Sequence, residues 1–351
     1  MIGKTISHYK ILEKLGEGGM GAVYKAQDTK LKRPVALKFL HTSEIKDKSR
    51  KHVGAHGHVP LRMEAQAAAT VNHPNVCTIY KIDETDDQVL IAMEYVEGRT
   101  LKDIVGAHDD VPLPTNTVFN YAIQIAQGLQ AIHEKGMVHR DIKSENILIT
   151  DKGQVKIMDF GLVKSMHVKD KLRYQESSGG TIATMSPEQI RGENLDHRSD
   201  IWSFGVVLYE ILTGQHPFTG ENAYALIDSI LNEAPKSISH LNADIPESLD
   251  HVILKALEKT LTGRFQNIQS ILTDLKKYQK SIGSIPTKEK PSGDKTKPSI
   301  AVLPFTNMSA DPEQEYFCDG ITEEIINALT HIGSLYVVAR TSAFFFQRKG
   351  Y

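Results

Sequence analysis

Apolar and polar positions alternate along the first forty residues, and the period lengthens further on. Tyr9-Lys10-Ile11-Leu12, Ala22-Val23-Tyr24-Lys25-Ala26 and Pro34-Val35-Ala36-Leu37-Lys38-Phe39-Leu40 read as three strands. A glycine-rich turn, Gly16-Glu17-Gly18-Gly19-Met20-Gly21, separates the first two. Met63 to Ala69 is strongly helix-favouring, and Val76 to Tyr80 and Val89 to Met93 read as two more strands. From Leu101 the pattern turns helical. Val118 to Lys135 carries Ala122, Ile125, Ala126, Leu129 and Ile132 at helical spacing, with Gly136 as its expected C-terminal stop. Asp200-Ile201-Trp202-Ser203-Phe204-Gly205 opens another apolar helix.

Three stretches break the pattern. Residues 49–60 contain Gly54, Gly57 and Pro60 without apolar periodicity, which predicts a mobile loop and a helix starting only near Leu61. His52, His56 and His58 lie there with no carboxylate or cysteine nearby, a poor metal-binding set. Leu162 to Met185 is polar and reads as a mobile loop. Residues 279–298, rich in Lys, Ser, Pro and Gly, read as a linker. After it come an expected strand from Ser299 to Phe305, a helix from Asp319 to His331 and a strand from Leu335 to Arg340. The Phe344-Phe345-Phe346 run then meets too little remaining chain to bury it, as expected of a domain cut short at Tyr351.

The 351 residues suffice for two domains or one large bilobal one, and 40% hydrophobic with 24% charged residues is ordinary for a globular chain. A net charge of −2 gives no reason to expect nucleic acid or an anionic membrane as partner. Two cysteines, Cys77 and Cys318, make neither a disulfide framework nor a thiolate zinc site and fit a reducing compartment. No window approaches the roughly 18 uncharged apolar residues of a membrane span, and Met1 to Thr5 lacks a signal-peptide core; a cytoplasmic location is expected.

The chemistry concentrates in Val138-His139-Arg140-Asp141-Ile142-Lys143-Ser144-Glu145-Asn146-Ile147-Leu148-Ile149. Asp141 and Asn146 are close enough for one short loop to aim both at the same phosphate. A second carboxylate, Asp159, follows in Ile157-Met158-Asp159-Phe160-Gly161. The glycine-rich turn lies between two strands rather than between a strand and a helix, which favours a hairpin lid over a polyphosphate to a dinucleotide site.

Together with Val35-Ala36-Leu37-Lys38, Met185-Ser186-Pro187-Glu188-Gln189 and Asp200, these residues resemble the eukaryotic-type protein kinases, in a bacterial variant and on the serine/threonine branch. The resemblance runs from about Tyr9 to Tyr278. It implies an α+β, bilobal kinase fold: an N-lobe of antiparallel sheet plus helix over residues 9–96 after an N-terminal lead of residues 1–8, and a mainly helical C-lobe over 97–278. Residues 299–351 resemble the start of a TolB-like amino-terminal domain and form a partial α/β segment.

The resemblance also implies roles. Asp141 accepts the proton of the incoming hydroxyl, Lys143 contacts the γ-phosphate, and Thr181 bridges Asp141 and Lys143. Lys38 neutralises the α- and β-phosphates and is held by Glu64. Leu15, Gly16, Glu17, Gly18, Gly19, Met20 and Gly21 cover the phosphates. Val23, Ala36 and Leu148 sandwich the adenine, Met93 backs its pocket, and main-chain groups of Glu94 and Val96 bond its edge. Asn146 and Asp159 hold Mg²⁺, with Mn²⁺ as the alternative cation. Asp200 holds the catalytic-loop backbone, and Glu188 pairs with buried Arg264. Arg140 awaits an activation-loop phosphate, for which Ser177 and Ser178 are the candidate autophosphorylation sites. The implied partners are ATP, protein substrates bearing Ser or Thr, and a second copy for trans-autophosphorylation. One alternative is an ATP-binding pseudokinase made inactive by the altered segment before Glu64. Another is a small-molecule kinase, which would lack the Ser186-Pro187-Glu188 and Asp200 constellation.

Overall fold

Alternation with a period of two builds the first layer. The computed structural model describes residues 1–18, 21–41, 67–84, 88–107, 113–159, 182–240, 245, 247–283, 299–300, 302, 321–322, 324–325, 327–329 and 336–337. Strands β1 (Thr5–Ile6), β2 (Tyr9–Gly18), β3 (Gly21–Asp28), β4 (Arg33–His41), β5 (Ile79–Glu84) and β6 (Gln88–Glu94) form an antiparallel sheet in the order β1-β2-β3-β4-β6-β5. Burial alternates along β3, as the sequence predicts. One face packs Tyr9, Ile11, Tyr24, Val35, Leu37 and Phe39 into a core, with Tyr24 and Phe39 meeting edge to face at 5.6 Å. The pleat leaves Val23, Ala36, Lys38 and Met93 for the other face.

The glycine-rich turn is a hairpin: Gly18 pairs with Gly21, and β2 and β3 continue from it. Gly21 has to be glycine. Its φ is 136°, and a Cβ there would lie 1.8 Å from the Phe39 carbonyl oxygen.

The strand expected at Val76 to Tyr80 begins instead at Ile79. Residues 75–77 are taken by another partner, because Ile157 donates to the Asn75 carbonyl and Cys77 donates to the Ile157 carbonyl, both at 2.9 Å. That exchange ties the chain after the N-lobe turn to a second, three-stranded antiparallel sheet of β7 (Arg99–Thr100), β8 (Ile147–Ile149) and β9 (Val155–Ile157).

The remaining layer is helical: α1 (Leu101–Gly106), α2 (Thr115–His133), α3 (Pro187–Arg191), α4 (His197–Thr213), α5 (Ala223–Asn232), α6 (Glu247–Ala256) and α7 (Ile268–Gly283). The expected helix at Val118 to Lys135 starts three residues earlier and ends at His133; Gly136, at φ 70°, lies in the turn beyond. Apolar α4 is the axis of this layer, with Trp202, Phe204, Val206, Val207 and Leu208 fully buried and Trp202 stacked on Phe218. Helix α7 runs to Gly283, past the expected limit at Tyr278.

The chain divides into two compact units, Met1–Ser281 and Ile282–Tyr351. In the second, β10 (Ser299–Ile300) pairs in parallel with β11 (Tyr336–Val337), and helical residues 321–322, 324–325 and 327–329 intervene in sequence. This is the β-α-β order expected of residues 299–351. No helix among the described residues is long and apolar enough to cross a membrane.

Candidate active site

Lys38 leaves β4 on the pocket face of the sheet, and its Nζ lies 2.7 Å from Asp159 Oδ1. Asp159 follows β9 and sits at φ 50°, a left-handed conformation that costs a non-glycine residue about 1–3 kcal/mol and persists only when its surroundings dictate it. The surroundings are visible. The preceding Met158 N–H donates to the Asn146 carbonyl at 2.8 Å, and the Met158 carbonyl is 2.9 Å from His139 Nε2. That carbonyl can only accept, so the proton of His139 is on Nε2. Nδ1 then accepts the Asp141 N–H at 3.3 Å. His139 is fully buried, and burial lowers its pKa, which keeps the ring neutral and this tautomer intact.

The catalytic loop is fixed by a carboxylate beneath it. Asp200 is buried in the first turn of α4, where the helix dipole favours an anion. Its Oδ2 accepts the His139 N–H at 2.7 Å and faces His133 Nε2 at 2.9 Å, and its Oδ1 accepts the Arg140 N–H at 2.8 Å. Burial pushes the Asp200 pKa up, but the hydrogen bonds from His133 and from the His139 backbone N–H outweigh that and hold it low.

Arg140 takes φ 66° above it. Asn146, in a 3₁₀ turn of Ser144–Asn146, donates through Nδ2 to both the Asp141 carbonyl and Asp141 Oδ2, each at 2.8 Å. Lys143 Nζ is 3.7 Å from Asp141 Oδ2. Lys38, Asp141, Lys143, Asn146 and Asp159 thus belong to one connected site.

Because the Asn146 side-chain N–H bonds go to Asp141, the amide oxygen of Asn146 can face a cation, and Asp159 adds a carboxylate. Such hard oxygens suit Mg²⁺ or Mn²⁺ rather than a softer metal. When bound, the metal supplies charge neutralisation at the phosphates. Among the described residues no cluster of three or more His, Cys, Asp or Glu forms a protein-only metal site.

The expected adenine walls are partly placed. Val23, Ala36 and Met93 gather with Cys77 and Met158 in one apolar cluster. Leu148 is half-buried in β8, outside it. Neither Cys77 nor Met158 stood out in the sequence; burial pushes the Cys77 thiol up to about 12, which makes it a packing group rather than a nucleophile.

Glu94, expected to act through its main chain, also uses its side chain. Its N–H donates to the Thr78 carbonyl at 2.8 Å, and its carboxylate pairs with Lys156 at 2.7 Å and accepts the Thr78 N–H at 3.2 Å. The Glu94 carbonyl also accepts a weak contact from the Cys77 thiol at 3.6 Å. Val96 follows in the segment before β7, and Leu15 is 44% exposed on β2. Lys156 was missed as a site residue. The signal was a lysine inside a strand whose three residues are all buried, since such a cation requires a partner.

Glu188 and Arg264 meet as expected. Arg264 Nη1 and Nη2 donate to Glu188 Oε1 and Oε2 at 2.8 and 3.1 Å, and Ser199 Oγ donates to Oε1 at 2.7 Å. Arg264 also donates to the Arg198 and Glu258 carbonyls. Glu64, Gly19, Met20, Thr181, Ser177, Ser178 and residues 49–60 lie outside the described residues.

The protein kinase domain model matches residues 9–275. The chain is 38% identical over 286 residues to the probable serine/threonine-protein kinase CPE1738 of Clostridium perfringens, covering 80% of this chain and 40% of that protein. It is 38% identical over 279 residues to the serine/threonine-protein kinase PrkC of Bacillus subtilis (79% and 41%). It is 36% identical over 312 residues to PknB of Mycolicibacterium smegmatis (88% and 48%). The chain therefore spans less than half the length of these relatives. In three dimensions it is similar to the PknI kinase domain of Mycobacterium tuberculosis (TM-score 0.62, 23% identity, 80% of this chain and 99% of that one). It is also similar to Rad53 residues 1–466 in complex with AMP-PNP (TM-score 0.62, 26% identity, 76% and 65%).

Proposed function

Because the chain belongs to the protein kinase domain family, we propose that it transfers the γ-phosphoryl group of ATP to serine and threonine hydroxyls of proteins, in bacterial signalling. The observation that carries the proposal is the 2.7 Å contact between Lys38 and Asp159, which sets the cation of the sheet on the carboxylate beside the catalytic loop. Phosphoryl transfer needs positioning and charge neutralisation more than covalent chemistry, and the site supplies both. Asp141, oriented by Asn146 and by the backbone of its loop, accepts the hydroxyl proton. Lys143 and Lys38 face the phosphates, and Glu64 and Thr181 complete the set as holder of Lys38 and substrate-side bridge. Mg²⁺ is the preferred cation over Mn²⁺. A pseudokinase is disfavoured, since Lys38, Asp141, Asn146 and Asp159 are all present and linked.

Residues 279–298 are read as a linker whose first residues complete α7, and residues 299–351 as the start of a TolB-like domain. Its few cysteines suit the cytoplasm. Ser177 and Ser178 are the proposed autophosphorylation sites, reached in trans by a second copy. Turnover of ATP on a generic basic protein by the purified chain, beside Lys38→Met, tests the activity. Equal turnover by the two proteins refutes it. Phosphosite mapping in the same reactions tests Ser177 and Ser178.

A further inference from the structure

Asp141 can work only if its carboxylate is aimed, and its aim depends on the residue before it. Arg140 adopts φ 66°, an unfavourable conformation for a side chain with a Cβ, so both flanking peptide planes must be held. Asp200 holds the first through the His139 and Arg140 N–H groups. The second, the Arg140–Asp141 peptide, is held by Gln189, whose Nε2 donates to the Arg140 carbonyl at 3.1 Å.

Gln189 is itself fixed. It occupies the third position of α3, where Ser186 opens a capping box: the Ser186 N–H donates to Gln189 Oε1 at 2.8 Å, and the Gln189 N–H donates to Ser186 Oγ at 3.4 Å. The adjacent Glu188 anchors the same short helix to Arg264 and Ser199. The amide orientation follows from its partners, since the Ser186 N–H can only donate and the Arg140 carbonyl can only accept. A capping box takes Glu as readily as Gln. Only the amide, however, can accept from Ser186 and donate to Arg140 at once, because an ionised carboxylate has no hydrogen to give.

We propose that Gln189 is a positioning residue for the reaction: its side-chain amide clamps the Arg140 carbonyl and so aims Asp141, linking the Ser186–Arg191 segment to the catalytic loop. The inference rests on the kinase reading above. It gives the glutamine of Ser186-Pro187-Glu188-Gln189 a function separate from capping its own helix, and the two functions can be pulled apart.

Gln189→Glu keeps the acceptor for Ser186 and deletes the donor to Arg140. Gln189→Lys offers an N–H donor and loses the acceptor. Steady-state kinetics and thermal melts are measured on the parent, both variants and Asp141→Asn. Gln189→Glu is expected to keep the parent's melting temperature and KM for ATP while kcat falls about 10- to 100-fold, the scale of a slight misplacement of a catalytic group. Gln189→Lys is expected to recover much of that rate while melting at a lower temperature.

Parent-like kcat in Gln189→Glu overturns the inference. So does a parallel loss of rate, ATP binding and melting temperature in that variant, which would make the residue merely structural, and so does a Gln189→Lys protein as slow as Gln189→Glu. A parent no faster than Asp141→Asn overturns the kinase reading and this inference with it. A fast parent with an equally fast Gln189→Glu overturns the inference alone.

Discussion

Removing Glu188 leaves Arg264 as an uncompensated cation in the interior, and this should be the costliest single change outside the catalytic loop. The Arg264 side chain is 0% exposed and the Glu188 side chain 2%. The pair is a two-pronged fork, and Ser199 donates to the same carboxylate. Breaking a buried pair by removing one partner costs about 3–5 kcal/mol, a large share of the 5–15 kcal/mol that holds a typical domain together. At about 2–4 °C per kcal/mol for units of 150–250 residues, Glu188→Ala should melt roughly 6–20 °C below the parent.

Replacing both partners by apolar groups should recover part of the loss, since the cation is then gone. Ser199 and the Arg198 and Glu258 carbonyls keep the recovery incomplete. The double variant Glu188→Leu/Arg264→Met should therefore melt above Glu188→Ala and below the parent.

The pH dependence has a definite sign. Burial raises the Glu188 pKa, but the Arg264 hydrogen bond and charge and the Ser199 bond outweigh it, so the folded value lies below the usual 4.5. A carboxyl depressed on folding contributes stability that is complete above its unfolded value and is lost as pH falls through the folded one. The gap between parent and Glu188→Ala should then be full at pH 7, hold against added salt, and close in acid below about pH 4.5. Circular-dichroism melts across pH and ionic strength measure it. A Glu188→Ala protein melting within about 2 °C of the parent at pH 7 would refute the reasoning.

Three further changes separate the parts of the site. Asp200→Asn weakens the acceptor that holds the His139 and Arg140 N–H groups, so kcat should fall about 100-fold with little change in KM for ATP; a parent-like kcat contradicts this. Lys156→Met strands the Glu94 carboxylate beside the proposed adenine edge and should raise KM for ATP about tenfold while kcat holds, with Lys156→Arg restoring it; an unchanged KM argues against the link. Burial lowers Lys259 from 10.5 to about 8, where its ammonium caps the Ser229 and Ile230 carbonyls. Between pH 8 and 10.5 the unfolded chain binds more protons at this residue, so its contribution to stability rises with pH; melts of Lys259→Met that keep the parent's slope across that window would show the assignment to be wrong.

Local pattern made some of this legible and left some hidden. Strands alternating around Tyr24 and Leu37, the hairpin at Gly18 and Gly21, and the apolar helix that carries Asp200, which starts three residues before the expected Asp200 at His197, all follow from periodicity and turn chemistry over a few residues. Spacing within one loop likewise pointed to Asp141 and Asn146, which touch in the fold. The strand expected at Val76 failed because its backbone partner is Ile157, eighty residues away, and no local signal carries that pairing.

Lys156 with Glu94, and Gln189 with Arg140, were hidden for the same reason. Each is a contact between segments about fifty or sixty residues apart, in which one side chain holds the backbone or charge of another element. Lys156 stands between Val155 and Ile157 in a short apolar run, and nothing nearby in the sequence names its partner. Cys77 and Met158 read as ordinary apolar residues until the fold placed them beside Ala36 and Met93.

The most direct test of the central claim is a single-turnover transfer from [γ-³²P]ATP to a protein acceptor, with phosphoamino-acid analysis of the product, for the parent and Asp141→Asn at matched ATP occupancy. The account predicts label on phosphoserine and phosphothreonine. It also predicts a rate about 10²–10⁴ lower for Asp141→Asn while ATP binds both proteins alike. Label appearing at the same rate in both, or on tyrosine alone, would contradict it.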